Sequence, residues 1–286
     1  MRIRDADHAV QRISRTKTGI VSPSASSDHR AISVPGVAES FRTGSDRQHA
    51  IGSIVPRELA IPGTHEKVVG FLSKVLDYQT APRILDIGAG QGALSARLKS
   101  LGARVSACDV VPEQFEATGV DFRVVKPDGT LPFDDGSFDA AIAVEVLEHI
   151  DGHDRFFAEV SRVLAPNGVM MFTTPNILSL KSRLRFAFTG FFYSFGPLEP
   201  FTRDPVSQHI APFSLNRYEW MMSQHGLRLA GTETDKVQTS SLLLMPLLPF
   251  VRLATWMQFG GNPLASRQNS SVALYGRKLV VIGRKS

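Results

Sequence analysis

Three side chains able to hold a cation or move a proton stand close together in the chain: Glu145, Glu148 and His149, as Glu-x-x-Glu-His. On helical geometry, positions i, i+3 and i+4 share a face. Two carboxylates beside an imidazole then form a ligand set for a divalent cation, or a base for a hydroxyl proton. A second histidine, His209, lies in Ser207-Gln208-His209-Ile210-Ala211-Pro212-Phe213-Ser214 and is another candidate acid or base. A different group of residues is suited to gripping a ligand. Asp86 leads Gly88, Gly90 and Gly92, and Asp109 follows about twenty residues beyond, the distance at which a strand-end carboxylate can reach ribose hydroxyls.

These groups need elements to hold them. Ile84, Leu85 and Ile87 read as a short buried strand that turns on the glycines into a helix starting near Gln91, with Leu94 and Leu98 inward. Further strands are expected at Arg104 to Asp109, Phe122 to Val125, Ala140 to Val144, Val169 to Thr173, Leu227 to Thr234 and Ala273 to Gly283. A helix from Thr64 carries Val68, Leu72, Val75 and Leu76 inward, and another from Asp154 to Leu164 carries Phe157, Val160 and Leu164. Ala165-Pro166-Asn167-Gly168 is a turn signal. Strands alternating with helices imply an α/β fold with a parallel sheet covered on both faces. Glu145 to His149 would cross from the fourth strand into a helix, at the carboxyl end of the sheet where open α/β folds bind ligands.

Asp86-x-Gly88-x-Gly90-x-Gly92 resembles the first motif of the class I S-adenosylmethionine-dependent methyltransferases. Gly88-x-Gly90-x-x-Ala93 also satisfies the dinucleotide fingerprint. There, however, a carboxylate just before the glycines would sit beside a pyrophosphate, whereas S-adenosylmethionine carries an ammonium and a sulfonium and no phosphate. Leu131 to Val144 is similar to the loop and fourth strand of the same class. The resemblance spans roughly residues 65 to 286, weakly after 176. It implies a Rossmann-like, seven-stranded, mostly parallel sheet with helices on both faces, the last strand inserted antiparallel, and a capping insert. It also implies S-adenosyl-L-methionine as cofactor, with Asp86, Gly88, Gly90 and Gly92 at the methionine end, Asp109 on the ribose and Glu145 beside the cofactor cleft. The family's adenine-binding acid would fall near Lys126-Pro127, so Asp128 is the nearest carboxylate. Glu145 to His149 looks like the segment of the ubiquinone-biosynthesis O-methyltransferases that is associated with a divalent cation. His149 and His209 are the candidate catalytic residues. No metal ligand is assigned, and a cation at Glu145, Glu148 and His149 stays open as an alternative.

The chain has 286 residues and a formal net charge of +5, much of the excess in its first fifty. That balance permits an acidic partner without requiring one. The single Cys108 excludes an internal disulfide and a cysteine zinc site, which fits a reducing cytoplasm. The N-terminus shows no apolar signal segment, and the apolar run Leu242 to Phe259 is interrupted by Pro246, Pro249 and Arg252. Residues 1–55 read as a disordered tail and 56–286 as the methyltransferase domain, with cap inserts at about 177–213 and 236–270. Those inserts set aromatic residues beside cations, as in Leu180 to Tyr193, and suit a cap, a lipid-linked acceptor or peripheral contact with the inner face of a membrane. Nucleic acid fits poorly, because no Asp/Asn-Pro-Pro-aromatic motif follows the fourth strand. The expected reaction is methyl transfer to an oxygen of a small-molecule, glycan or lipid-linked acceptor. The alternatives are a nicotinamide-dependent oxidoreductase and a cofactor-binding regulator without turnover.

Overall fold

Alternation along the strands decides the layering. In β1 (Arg83–Ile87), β4 (Phe138–Val144) and β5 (Leu164–Pro175) both faces are apolar, and successive residues go to opposite sides. Ile84, Ala140, Ile142, Val169 and Met171 face α1 (Thr64–Leu72) and α2 (Ala93–Ser100). Leu85, Ala141, Ala143, Met170 and Phe172 face α3 (His153–Val163) and α5 (Leu215–Gln224). The computed structural model describes residues 56–202 and 208–286; the expected tail, residues 1–55, lies outside them.

The remaining strands are β2 (Arg104–Asp109), β3 (Asp121–Val124), β6 (Leu227–Glu233) and β7 (Lys278–Lys285). The seven strands run in the order β3-β2-β1-β4-β5-β7-β6. Every pair from β3 to β5 is parallel, while β7 lies antiparallel between β5 and β6. The chain therefore leaves β1 toward β2 and later returns to β4 on the other side. A crevice opens at the carboxyl ends of β1 and β4, at this switch point. Both the sheet class and the antiparallel last strand agree with the sequence reading.

Several boundaries differ. α1 stops at Leu72, because the N–H groups of Val75 and Leu76 both donate to the Leu72 carbonyl and close the last turn. The expected turn Ala165 to Gly168 lies inside β5: Leu164 pairs with Phe138 and Val169 with Ala140, so the intervening residues bulge out of register. β7 starts at Lys278, and the residues before it form the short helix α9 (Ser271–Tyr275), capped by the Ser270 hydroxyl. The insert after β5 contains α4 (Leu180–Thr189), and that after β6 contains α6 (Thr239–Leu242), α7 (Leu248–Phe259) and α8 (Pro263–Gln268).

Candidate active site

A cavity of about 1000 Å3 occupies the crevice, and Asp86, Gly88, Gly90, Asp109 and Asp128 line it on one side. The glycine turn is held from β2, since the Cys108 carbonyl accepts the N–H groups of Gly88 and Ala89 at 2.8 and 3.2 Å. Gly88 has φ +70°, and a Cβ there would lie 2.4 Å from Val146 Cγ2, so a side chain is excluded on two counts. Gly92 is different: it precedes α2 and backs onto Phe115 and Ala117, away from the cavity wall. α2 begins at Ala93, two residues later than the sequence suggested.

Asp86 is buried, and its Oδ2 accepts the Ser95 hydroxyl at 2.6 Å. Burial pushes this carboxyl up to about 6; the Ser95 bond opposes the shift and the neighbouring Asp109 adds to it. Asp109 stands at the end of β2. Its Oδ2 accepts the Gly90 N–H at 2.8 Å, and its Oδ1 accepts those of Val110 and Val111 at 2.6 and 3.0 Å. The same carboxylate thus fastens the turn and faces the cavity. Asp128 sits on the exposed rim, accepting the Thr130 N–H at 2.9 Å, with Arg155 3.7 Å away.

The Glu-x-x-Glu-His segment is not helical. Glu145 has φ +57°, a left-handed conformation that ends β4 and cannot open a right-handed helix. Thr173 locks it there: the Glu145 N–H donates to Thr173 Oγ1, whose hydroxyl donates back to Glu145 Oε1 at 2.8 Å. The other carboxylate oxygen pairs with the buried Lys278 at 2.6 Å. Residues 147–149 then form a turn, closed by the His149 N–H on the Val146 carbonyl. The shared helical face expected for Glu145, Glu148 and His149 does not exist, and the cation set that relied on Glu145 is corrected accordingly.

Another grouping takes its place. The Glu148 carbonyl accepts the N–H groups of Ile210 and Ala211 at 2.8 and 3.2 Å, drawing the His209 segment onto the turn. The rings of His149 and His209 meet edge to face at 4.8 Å. One ligand atom from each of Glu148, His149 and His209 lies within 4.8 Å of the others. His149 Nδ1 is 3.0 Å from the Gln208 carbonyl, and His209 Nδ1 is 2.8 Å from the Ser194 carbonyl. A carbonyl only accepts, so in each contact the Nδ1 atom is the donor. Glu148 is fully buried, and neither carboxylate oxygen has a hydrogen-bond partner among the described residues. Burial, reinforced by Glu145, raises its carboxyl well above the ordinary range. Glu145, Glu148, His149 and His209 all line the same cavity as Asp86.

Several residues of the site are silent in the sequence. Ser95 betrays itself only as a hydroxyl on the buried face of α2 between Leu94 and Leu98. Lys278 is a cation directly before the apolar run Leu279 to Val281, far in sequence from the carboxylate it meets. His153 holds the turn from α3, its Nε2 2.8 Å from the Leu147 carbonyl; burial lowers its pKa, keeping it neutral as that donor.

Residues 85–172 match the family model described as a methyltransferase domain. A ubiquinone biosynthesis O-methyltransferase of Xanthomonas oryzae pv. oryzae (strain PXO99A) is 34% identical over 115 residues, covering 37% of this chain and 48% of that protein. Its counterpart from Xanthomonas campestris pv. campestris (strain B100) is 33% identical over 116 residues, covering 35% and 48%. The chain thus spans about half the length of the curated relatives it matches. Among solved structures, an S-adenosylmethionine-dependent methyltransferase from Archaeoglobus fulgidus is 19% identical, with a TM-score of 0.49, covering 78% of this chain and 95% of that one.

Proposed function

We propose that this chain, whose residues 85–172 match a methyltransferase-domain model, is a class I S-adenosylmethionine-dependent methyltransferase that transfers the cofactor's methyl group to an oxygen of a small-molecule, glycan or lipid-linked acceptor. The observation that carries this reading is the layout of one cavity, with carboxylates and a glycine turn at one end and paired histidines at the other. A buried carboxyl raised to about 6 is suited to a cationic ligand, which would draw its proton off. Asp86 would meet the methionine ammonium, Gly88 and Gly90 would let the cofactor approach the backbone, and Asp109 and Asp128 would take the ribose and adenine. Glu145, held by Thr173 and Lys278, would shape the cofactor side of the cleft. The sulfonium is a good leaving centre by itself, so the protein's work is to hold the acceptor in line.

An oxygen acceptor must also lose a proton, and His149 or His209 would be the base that takes it. The curated relatives are named O-methyltransferases, which supports oxygen as the accepting atom. A second reading of the same end has a specific observation behind it. Buried Glu148 with one ring nitrogen each from His149 and His209, all within 4.8 Å of one another, matches a ligand set for a divalent cation. When bound there, such an ion would lower the pKa of an acceptor hydroxyl. Chelator decides between them: unchanged turnover favours the histidines acting alone.

Calorimetry with S-adenosylmethionine and with a nicotinamide dinucleotide tests the premise. Binding of the first alone is expected. Uptake of the dinucleotide instead would overturn the reading in favour of an oxidoreductase. Transfer of a labelled methyl group from the cofactor into a cell extract, with identification of the product, then separates an enzyme from a regulator that only binds.

A further inference from the structure

None of the side chains of α7 is buried. Phe250 is 70% exposed, Trp256 65% and Met257 72%, with Leu253 and Phe259 also beyond half. Positions 250, 253 and 257 are three and four apart, so their side chains form a stripe along the helix. The approach through α6 adds Leu243, 79% exposed. So much contiguous apolar surface is a site of contact with something other than water.

Charge indicates what that is. The chain has no Asp or Glu after Asp235, and none between Glu159 and Glu199, so over most of their length the cap inserts carry no acid, and the charges present there are cations such as Lys181, Arg185 and Arg252. Some are committed internally: Arg267 pairs with Glu219, Arg277 with Asp235 and Lys278 with Glu145. Among the described residues Lys181, Arg185 and Arg252 make no ion pair. Arg252 is exposed on α7 among the aromatic residues, while Lys181 and Arg185 lie 3.8 and 6.0 Å from the Tyr193 ring beside α4. α4 packs on α6, and Arg183 ties it to the other insert through the Gln268 carbonyl at 2.8 Å. A second copy of this chain would set cations against cations. An anionic lipid surface instead offers diffuse negative charge over hydrocarbon, which suits exposed aromatics flanked by lysine and arginine.

We propose that α7, with α6 leading into it and α4 alongside, is a docking face for an anionic bilayer. α7 lies in the plane of the interface, Phe250, Trp256 and Met257 enter the headgroup–acyl boundary, and Arg252 reaches up to the phosphates. At 12 residues it does not span, and no described helix is long and apolar enough to cross a membrane. This inference is independent of what the cavity binds.

Flotation of the full chain tests it, with vesicles of phosphatidylcholine alone and of phosphatidylcholine containing phosphatidylglycerol. The chain is expected to float with the anionic vesicles only, to be released by salt, and to show a blue shift of tryptophan emission on binding. Phe250→Glu with Met257→Glu should weaken partition on the order of a hundredfold, as expected for removing two buried apolar anchors. Arg252→Glu should weaken it severalfold. Cofactor calorimetry on the same variants should match the parent, which establishes that they are folded and keeps this test separate from that of the proposed activity. Absence of flotation, or equal partition by parent and variants, overturns the proposal. So does self-association of the parent that the same substitutions abolish, which would make the face an interface between copies.

Discussion

The two ends of the cavity are built on opposite principles. At the Asp86 end the ligand-facing groups come from one short loop and the next strand end, and backbone donors do most of the fastening: Gly90, Val110 and Val111 all donate to Asp109. At the His149 end the groups come from segments about sixty residues apart, joined by the Glu148 carbonyl and oriented by carbonyls of Gln208 and Ser194. The first end depends on conformations that only glycine adopts easily. The second depends on a long insert returning to the correct place. On the proposed function, one end would serve any reaction that uses the same cofactor, while the other would vary with the acceptor.

Substitutions should separate the two ends cleanly. His149→Ala and His209→Ala together are expected to lower kcat by about 10²–10⁴ through loss of proton removal, with cofactor affinity unchanged; single-turnover rates beside calorimetry would read both. Equal loss of cofactor affinity would show that the ends are not independent. Asp86→Asn should do the converse, abolishing most cofactor affinity while strengthening the fold. The sign follows from linkage. Asp86 titrates higher in the folded chain than in the unfolded one, so its contribution is present below the ordinary carboxylate range and is lost as pH rises to about 6. At neutral pH the amide should gain about 1–3 kcal/mol in denaturant unfolding. Parent cofactor affinity should correspondingly fall about tenfold per pH unit below about 6. Asp109→Ala is the smallest of the set, weakening cofactor affinity by about 1–3 kcal/mol. Calorimetry finding no change there would remove Asp109 from the cofactor and leave it as a fastener of the turn.

The legible part of the site was the local part. Asp86, Gly88, Gly90 and Asp109 could be placed because a strand, a tight turn and the next strand end are specified by residues close in sequence. The types of Glu145, Glu148 and His149 are legible in the sequence, but their geometry is not. The i, i+3, i+4 spacing assumes a helix, and nothing nearby in sequence announces that Thr173 and Lys278 will hold Glu145 at a positive φ. The cap inserts were recognisable as apolar and cationic, but the full exposure of α7 is a property of packing.

The succession of strands and helices along the chain, the apolar character of the central strands and the acidic glycine turn follow from the sequence itself, because hydrophobic period and backbone freedom act over a few residues. The partners of Asp86 and Glu145, the meeting of His149 with His209 and the burial of the Glu148 carboxyl were decided only by the tertiary structure. Those are contacts between segments remote along the chain, and their geometry is set by how helices and strands pack rather than by any local preference.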